Sequence, residues 1–240
     1  MRGQPNHTNL LSAAWGKLLH LFFPRLCEGC SKPLLKQEEV LCISCTTHMP
    51  FTHYHGQQEN DTVLRFAGRL KFEQATSLAY FTADGLLQHL LHELKYKDKQ
   101  EIGVYLGKQL GYALKQTDWI KSVDGIVPVP LHPKKEAARG YNQSRLIAEG
   151  LNEVLQLPIC DRQLYRSRHT ESQTKKSREE RIENMSNVFA VKGKESLTGK
   201  HLLLVDDVLT TGATLEACAL ALQAATDIRI SFGTIGIAMD

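Results

Sequence analysis

The apolar positions of the chain divide it into helical stretches and short strand-like runs. Near the start, Leu10, Leu11, Ala14, Leu18, Leu21 and Phe22 recur close to helical spacing and predict a short amphipathic helix over 10–23. A strand is expected over 75–82, then a helix that Asp84 can N-cap, with Leu86, Leu87, Leu90, Leu91 and Leu94 on one face. A second helix over 99–116 carries Gly103, Gly107 and Gly111 four apart. Each glycine costs a helix about 0.5–1 kcal/mol relative to alanine, so a stripe of them predicts close packing, here against a sheet. From about residue 120 strand, loop and helix repeat. Strands are expected at 125–129, 187–191, 202–205 and within 228–239, and helices at 142–155 and 214–225. That alternation predicts a doubly wound, mainly parallel α/β sheet, in which ligands sit beyond the carboxyl ends of the strands.

One stretch concentrates the chemistry: Leu202-Leu203-Leu204-Val205-Asp206-Asp207-Val208-Leu209-Thr210-Thr211-Gly212-Ala213-Thr214. Four apolar residues suit a strand at the centre of a parallel sheet, with two adjacent carboxylates emerging at its end. A turn of threonines and one glycine then opens a helix. Such a turn aims N–H groups and hydroxyls at one point, backed by the positive helix end, and suits a phosphate monoester. Asp206 and Asp207 offer acceptors for two vicinal ribose hydroxyls and can draw in Mg²⁺. The plain alternative is a buried strand with two solvated carboxylates and a capping threonine. The run is not a Walker A loop and not a dinucleotide fingerprint, since it lacks Gly-Lys-Ser/Thr and Gly-x-Gly-x-x-Gly.

Residues 1–60 read as a separate segment, with a polar linker at 56–61 that follows His48, His53 and His55. Cys27, Cys30, Cys42 and Cys45 form Cys-x2-Cys-x11-Cys-x2-Cys, a spacing that can place four thiolates around Zn²⁺. A closed set of four thiolates is structural, not catalytic. The three histidines are alternative ligands or, more commonly for such residues, surface side chains. Cys160 and Cys218 stand alone.

Composition narrows the function without choosing it. An apolar share of 42% and a charged share of 23% fit a soluble globular protein. A formal charge of +3 is too slight to declare a nucleic-acid or membrane-surface binder, and 7% aromatics do not suggest a stacking platform. Trp15, Gly16, Lys17 and His20 interrupt the first apolar patch, so neither a secretory leader nor membrane insertion is expected. The expected compartment is the cytoplasm. The segment 167–184 is charged and without apolar periodicity; Arg166, Arg168, Lys175, Lys176, Arg178 and Arg181 are candidate cations for an anionic ligand or members of a solvated loop.

The run 202–214 resembles the 5-phosphoribosyl 1-pyrophosphate (PRPP)-binding fingerprint of type I phosphoribosyltransferases. With the cysteine module, the chain resembles the ComF family of bacterial competence proteins and its GntX relatives over nearly its whole length. Supporting stretches are 21–30, Leu94-Lys95-Tyr96-Lys97, Pro128-Val129-Pro130-Leu131-His132, Arg139-Gly140-Tyr141-Asn142-Gln143, and the series Gln173, Arg181, Asn184 and Phe189. The resemblance implies a type I phosphoribosyltransferase fold over 61–240, with a helical part at 84–116 and a PRPP-binding core at 120–240. It implies that Asp206 and Asp207 hold the ribose with Mg²⁺, and that Thr210, Thr211, Gly212, Ala213 and Thr214 cradle the 5′-phosphate. Val129, with the residues to His132, falls where such transferases hold pyrophosphate; Arg139 is a candidate additional cation there or part of a helix-entry turn with Gly140. A charged loop containing Arg166 and Lys175, both expected to act in catalysis, would close over the ligand. Hypoxanthine–guanine transferases carry aspartate at the place of Thr210, and threonine accepts no proton usefully near neutral pH, so a purine acceptor handled that way is not expected.

Three functions fit this sequence: a phosphoribosyltransferase with an unidentified acceptor, a non-catalytic PRPP-binding protein, and an adaptor in DNA uptake with a vestigial site. The resemblance implies a role in natural transformation, with single-stranded DNA and a competence helicase as candidate partners. The acceptor and the oligomeric state are left open by the residues alone.

Overall fold

A computed structural model describes residues 24–166 and 188–239. The expected helix at 10–23 and most of the charged loop, Lys175 included, lie outside the described residues. Two compact units divide the chain, Met1–His48 and Met49–Asp240.

Among the described residues of the smaller unit, the second cysteine pair is carried by one short helix, α1 (Ile43–Thr47): Cys45 lies within it, and Cys42 N-caps it through its Sγ, an acceptor for Cys45 N. The Glu38 carboxylate ties this region together by accepting from Leu35 N at 2.6 Å and Ile43 N at 2.7 Å.

The larger unit is built on a four-stranded parallel sheet. Its α-helices among the described residues are α2 (Asp61–Phe66), α3 (Leu86–Tyr96), α4 (Gln100–Lys115), α5 (Pro133–Arg139), α6 (Gln143–Leu155) and α7 (Ala213–Ala225). Strands β1 (Ala75–Phe81), β2 (Gly125–Pro128), β5 (His201–Leu209) and β6 (Arg229–Ala238) are ordered β1-β6-β5-β2. Strands β3 (Leu164–Arg166) and β4 (Phe189–Val191) form a separate antiparallel pair. Leu202, Leu203, Leu204 and Val205 are wholly buried at the sheet centre, as a continuous apolar run requires. Their side chains alternate between faces. Leu202 and Leu204 join Phe232 and the Leu215, Cys218 and Leu222 face of α7 in one core, while Leu203 meets Leu110 of α4 across Gly233 on the other side. Burying one such leucine contributes about 1.5–3 kcal/mol.

Several elements differ from the expectation. The glycine stripe of α4 packs against another helix, α6, and not against the sheet. A Cβ on Gly107 would collide with the Ile147 carbonyl, and one on Gly150 of α6 with the Val104 carbonyl. Glycine on both helices lets the two backbones touch, which no pair of ordinary side chains permits. Gly85, not Asp84, occupies the cap of α3, and Asp84 takes the left-handed conformation (φ 57°), which aspartate tolerates better than most residues.

The expected linker at 56–61 ends in structure, since Asp61 already opens α2, and the segment ahead of it is ordered. Thr52 N donates to Leu78 O at 3.0 Å and Tyr80 N to Pro50 O at 2.8 Å, so residues 50–52 run antiparallel along the outer edge of β1. Asn60 then caps α2 by accepting from Val63 N at 3.1 Å.

Candidate functional site

The sheet itself creates the crevice. Strand β2 ends at Pro128, opposite Val205, and the last bond between the two neighbours runs from Val129 N to Val205 O at 2.9 Å. Strand β5 continues to Leu209 because β6 still pairs with it, Asp206 opposite Thr234 and Val208 opposite Gly236. Asp206 and Asp207 therefore lie inside a strand, on the stretch that has lost one of its neighbours. The expectation ended that strand at Val205; backbone partners on β6 extend it. An open α/β sheet binds ligands in such a place.

Each carboxylate is held from a different element. Ser144, in the first turn of α6, donates to Asp206 Oδ1 at 2.8 Å, and Asp207 N donates to the same oxygen at 2.9 Å. Asp207 Oδ1 accepts from Val208 N at 2.7 Å, and its other oxygen forms an ion pair with Lys95 in the last turn of α3. Burial, and then the charge of Asp207, push the Asp206 carboxyl up to about 7, although the hydrogen bonds from Ser144 and Asp207 N act the other way. Asn142 caps α6 by accepting from Ser144 N at 3.0 Å and donates from Nδ2 to Val129 O at 2.9 Å, which ties the end of β2 to the residue that holds Asp206.

Beyond Leu209 the chain turns through exposed Thr210 and Thr211 to Gly212, the buried N-cap of α7. Gly212 has φ 79°, and a Cβ there would lie 2.9 Å from Phe66 Cε1, so only glycine makes this turn without strain. Arg69 holds the turn from outside, donating to Thr211 O at 2.7 Å and pairing with Glu216 of α7. The start of a 13-residue helix, two exposed threonines and two carboxylates thus share one end of β5. That donor set fits a sugar phosphate: N–H and O–H groups for the anion, carboxylates for the ribose hydroxyls and a hard cation.

The other expected site residues are distributed around this crevice. Both backbone groups of buried Val129 are engaged in the bonds just described. Arg139 ends α5 with its guanidinium 5.7 Å from the Tyr96 ring centroid, and Gly140 (φ 87°) caps that helix. Arg166 ends β3 with its guanidinium 5.6 Å from the Phe189 centroid. It lines a cavity of about 570 Å³ with Pro128, Leu131, Arg145, Tyr165 and Lys192. Roles for Lys95, Ser144 and Arg69 were not legible in the sequence, because each lies far along the chain from the residues it touches.

Cys27, Cys30, Cys42 and Cys45 form a cluster that could hold a metal ion, all four Sγ atoms lying within 4.8 Å of one another. Tetrahedral zinc with four thiolates sets sulfur atoms about 3.8 Å apart, so the cluster fits such an ion with small adjustments. Gly29 N and Cys42 N both point at Cys27 Sγ, at 3.4 and 3.3 Å. All six cysteines are free thiols, and His48, His53 and His55 are not part of the cluster.

Residues 139–230 match the family model of the phosphoribosyl transferase domain. Competence protein F of Haemophilus influenzae is 27% identical over 209 residues, 85% of this chain and 87% of that one. DNA utilization protein YhgH of Escherichia coli is 28% identical over 81% of this chain and 82% of its own. Competence protein ComFC of Bacillus subtilis is 35% identical over 97 residues, 40% of this chain and 37% of that one. A parallel sheet, its carboxylate-bearing crevice and the matched stretch make the larger unit an α/β protein that is similar to phosphoribosyl transferase domains over residues 139–230. More particularly, the chain is a homologue of competence protein F and ComFC, with an N-terminal cysteine cluster. No helix among the described residues is long and apolar enough to cross a membrane.

Proposed function

We propose that this protein binds PRPP with Mg²⁺ at the Asp206–Thr214 crevice and transfers its phosphoribosyl group to an acceptor in the handling of DNA during competence. The observation that carries the reading is the joining of Asp206 and Asp207, on the open stretch of β5, to the Gly212 turn that starts α7. In this reading Thr210, Thr211, Gly212, Ala213 and Thr214 bind the 5′-phosphate, and Asp206 and Asp207 accept from the ribose hydroxyls. Mg²⁺, when bound by these carboxylates and the ligand, neutralises charge on the leaving pyrophosphate. The acceptor's lone pair forms the new bond at C1′ as the bond to pyrophosphate breaks. The electron pair leaves with pyrophosphate and the acceptor's proton passes to solvent. No covalent protein nucleophile is needed; the residues act by positioning and by charge. Arg139, Arg166, Lys175 and the segment beyond Val129 serve the pyrophosphate side.

The roles named for competence protein F and DNA utilization protein YhgH support placing this chemistry in DNA uptake or use. Single-stranded DNA and a helicase are the proposed partners there, and the cytoplasm the proposed compartment. The cysteine cluster serves as a structural zinc module. Titration calorimetry with PRPP and Mg²⁺ tests the core of this reading: Asp206→Asn with Asp207→Asn abolishes binding and leaves the circular dichroism spectrum intact. Unchanged affinity in that double variant removes the proposed ribose and metal role. Release of pyrophosphate with bases, nucleotides, single-stranded DNA or protein offered as acceptor then separates a transferase from a protein that only binds PRPP.

A further inference from the structure

Among the described residues, the cation paired with the crevice carboxylates is Lys95, which comes from a different part of the fold than the turn and strand that define the site. Its backbone is fixed. Leu94 beside it is wholly buried, and the Leu94 carbonyl accepts a hydrogen bond from the Tyr141 hydroxyl. The next residue, Tyr96, lies under the Arg139 guanidinium. The end of α3 is thereby pinned to the segment that leads into Asn142 and Ser144. The Lys95 side chain is different: it is 27% exposed, on a flexible four-carbon stem, and its ammonium touches Asp207 Oδ2. The last turn of a helix also favours a cation, since the carbonyl ends point there.

We propose that Lys95 is a resident cation of the site that selects the pyrophosphorylated sugar over the plain sugar phosphate. This rests on the phosphoribosyl reading above. In the free protein the ammonium neutralises Asp207 and occupies the oxygen that a divalent cation needs. Any ligand that brings such a cation must displace it, and this lowers the affinity of the site for every phosphoribosyl ligand alike. The displaced ammonium has lost its counter-ion and needs another anion. Pyrophosphate at C1′ supplies one; ribose 5-phosphate does not. A residue that opposes both ligands and then rewards one of them acts as a discriminator, because only differential interaction shifts an equilibrium.

The test is calorimetry on the full chain in Mg²⁺, with PRPP and ribose 5-phosphate as separate titrants, for the wild type, Lys95→Met and Lys95→Arg. Losing a charge-assisted contact to pyrophosphate lowers PRPP affinity by about tenfold or more in Lys95→Met, while ribose 5-phosphate binding holds or improves by a few-fold. Lys95→Arg restores most of the ratio between the two ligands. Equal losses for both titrants in Lys95→Met make Lys95 a mere brace for Asp207 and overturn the inference, as does a ratio that does not move. Thermal melting of both variants accompanies the titrations, and Lys95→Arg keeps the question decidable if Lys95→Met unfolds. The wild-type titrations separate the two levels: a wild type that binds neither ligand sinks the phosphoribosyl reading itself, whereas a wild type that binds both, with an unmoved ratio in the variants, sinks only the role of Lys95.

Discussion

The proposed ribose and metal role asks Asp206 to carry charge in a place that resists it. Its carboxyl, ordinarily near 3.8, stands at about 7 because it is buried beside a second carboxylate. The sign of the consequence differs for stability and for binding. A raised carboxyl supports the free fold fully below its ordinary value, and that support is lost as pH rises through about 7. A ligand that needs the ionised carboxylate behaves oppositely. We expect PRPP affinity in Mg²⁺ to climb between about pH 6 and about pH 8, and the climb to flatten in Asp206→Asn, which removes the titrating group. Calorimetry across that range checks it, and the titration of the ligand's own phosphates cancels between the two proteins. Ser144→Ala removes a hydrogen bond that favours the ionised form, so the midpoint of the same climb moves up by about one unit. An unmoved midpoint would mean that Ser144 serves only the packing of α6.

The contact between α4 and α6 is an element-scale device with an effect on the site. Because Gly107 and Gly150 let two backbones touch, Gly107→Ala forces α6 outward, and α6 carries Ser144. Overpacking of this kind costs about 1–3 kcal/mol, and the melting temperature falls accordingly. PRPP affinity falls with it in the fraction that remains folded, whereas a substitution at exposed Tyr112 on the same helix leaves both unchanged. Sequence patterns made these helices and the central strands plain, since apolar spacing reports burial directly. They located the carboxylate turn as well, because its donors are consecutive in the chain. They gave the glycine stripe the wrong neighbour, because periodicity names a buried face and not what covers it. They missed α2 and the ordered course of 50–52, where a six-residue helix and a bridging segment leave no periodic signature. Lys95, Ser144 and Arg69 were out of reach for a related reason: their partners are set by topology.

For the whole molecule, two units share one chain, and their stabilities have separate origins. Among its described residues the unit Met1–His48 has few large buried side chains, and its four thiols converge on one point. A metal there contributes directly to folding of the segment that binds it. The purified protein should carry one zinc per chain by elemental analysis. Cys42→Ser should release the metal and raise amide exchange within residues 24–48, with PRPP binding by the larger unit retained. A disulfide found by mass spectrometry in metal-free native protein would contradict this.

The strip of chain along β1 has a practical side. β1 is the last strand of its sheet, and residues 50–52 occupy the backbone groups that its outer side would otherwise offer to any passing chain. Exposed strand edges recruit copies of themselves. A truncated protein that begins at residue 49 keeps this guard and should remain monodisperse as it is concentrated. One that begins at residue 61 loses it, and sedimentation should show concentration-dependent self-association, with loss of solubility arriving well before loss of the fold.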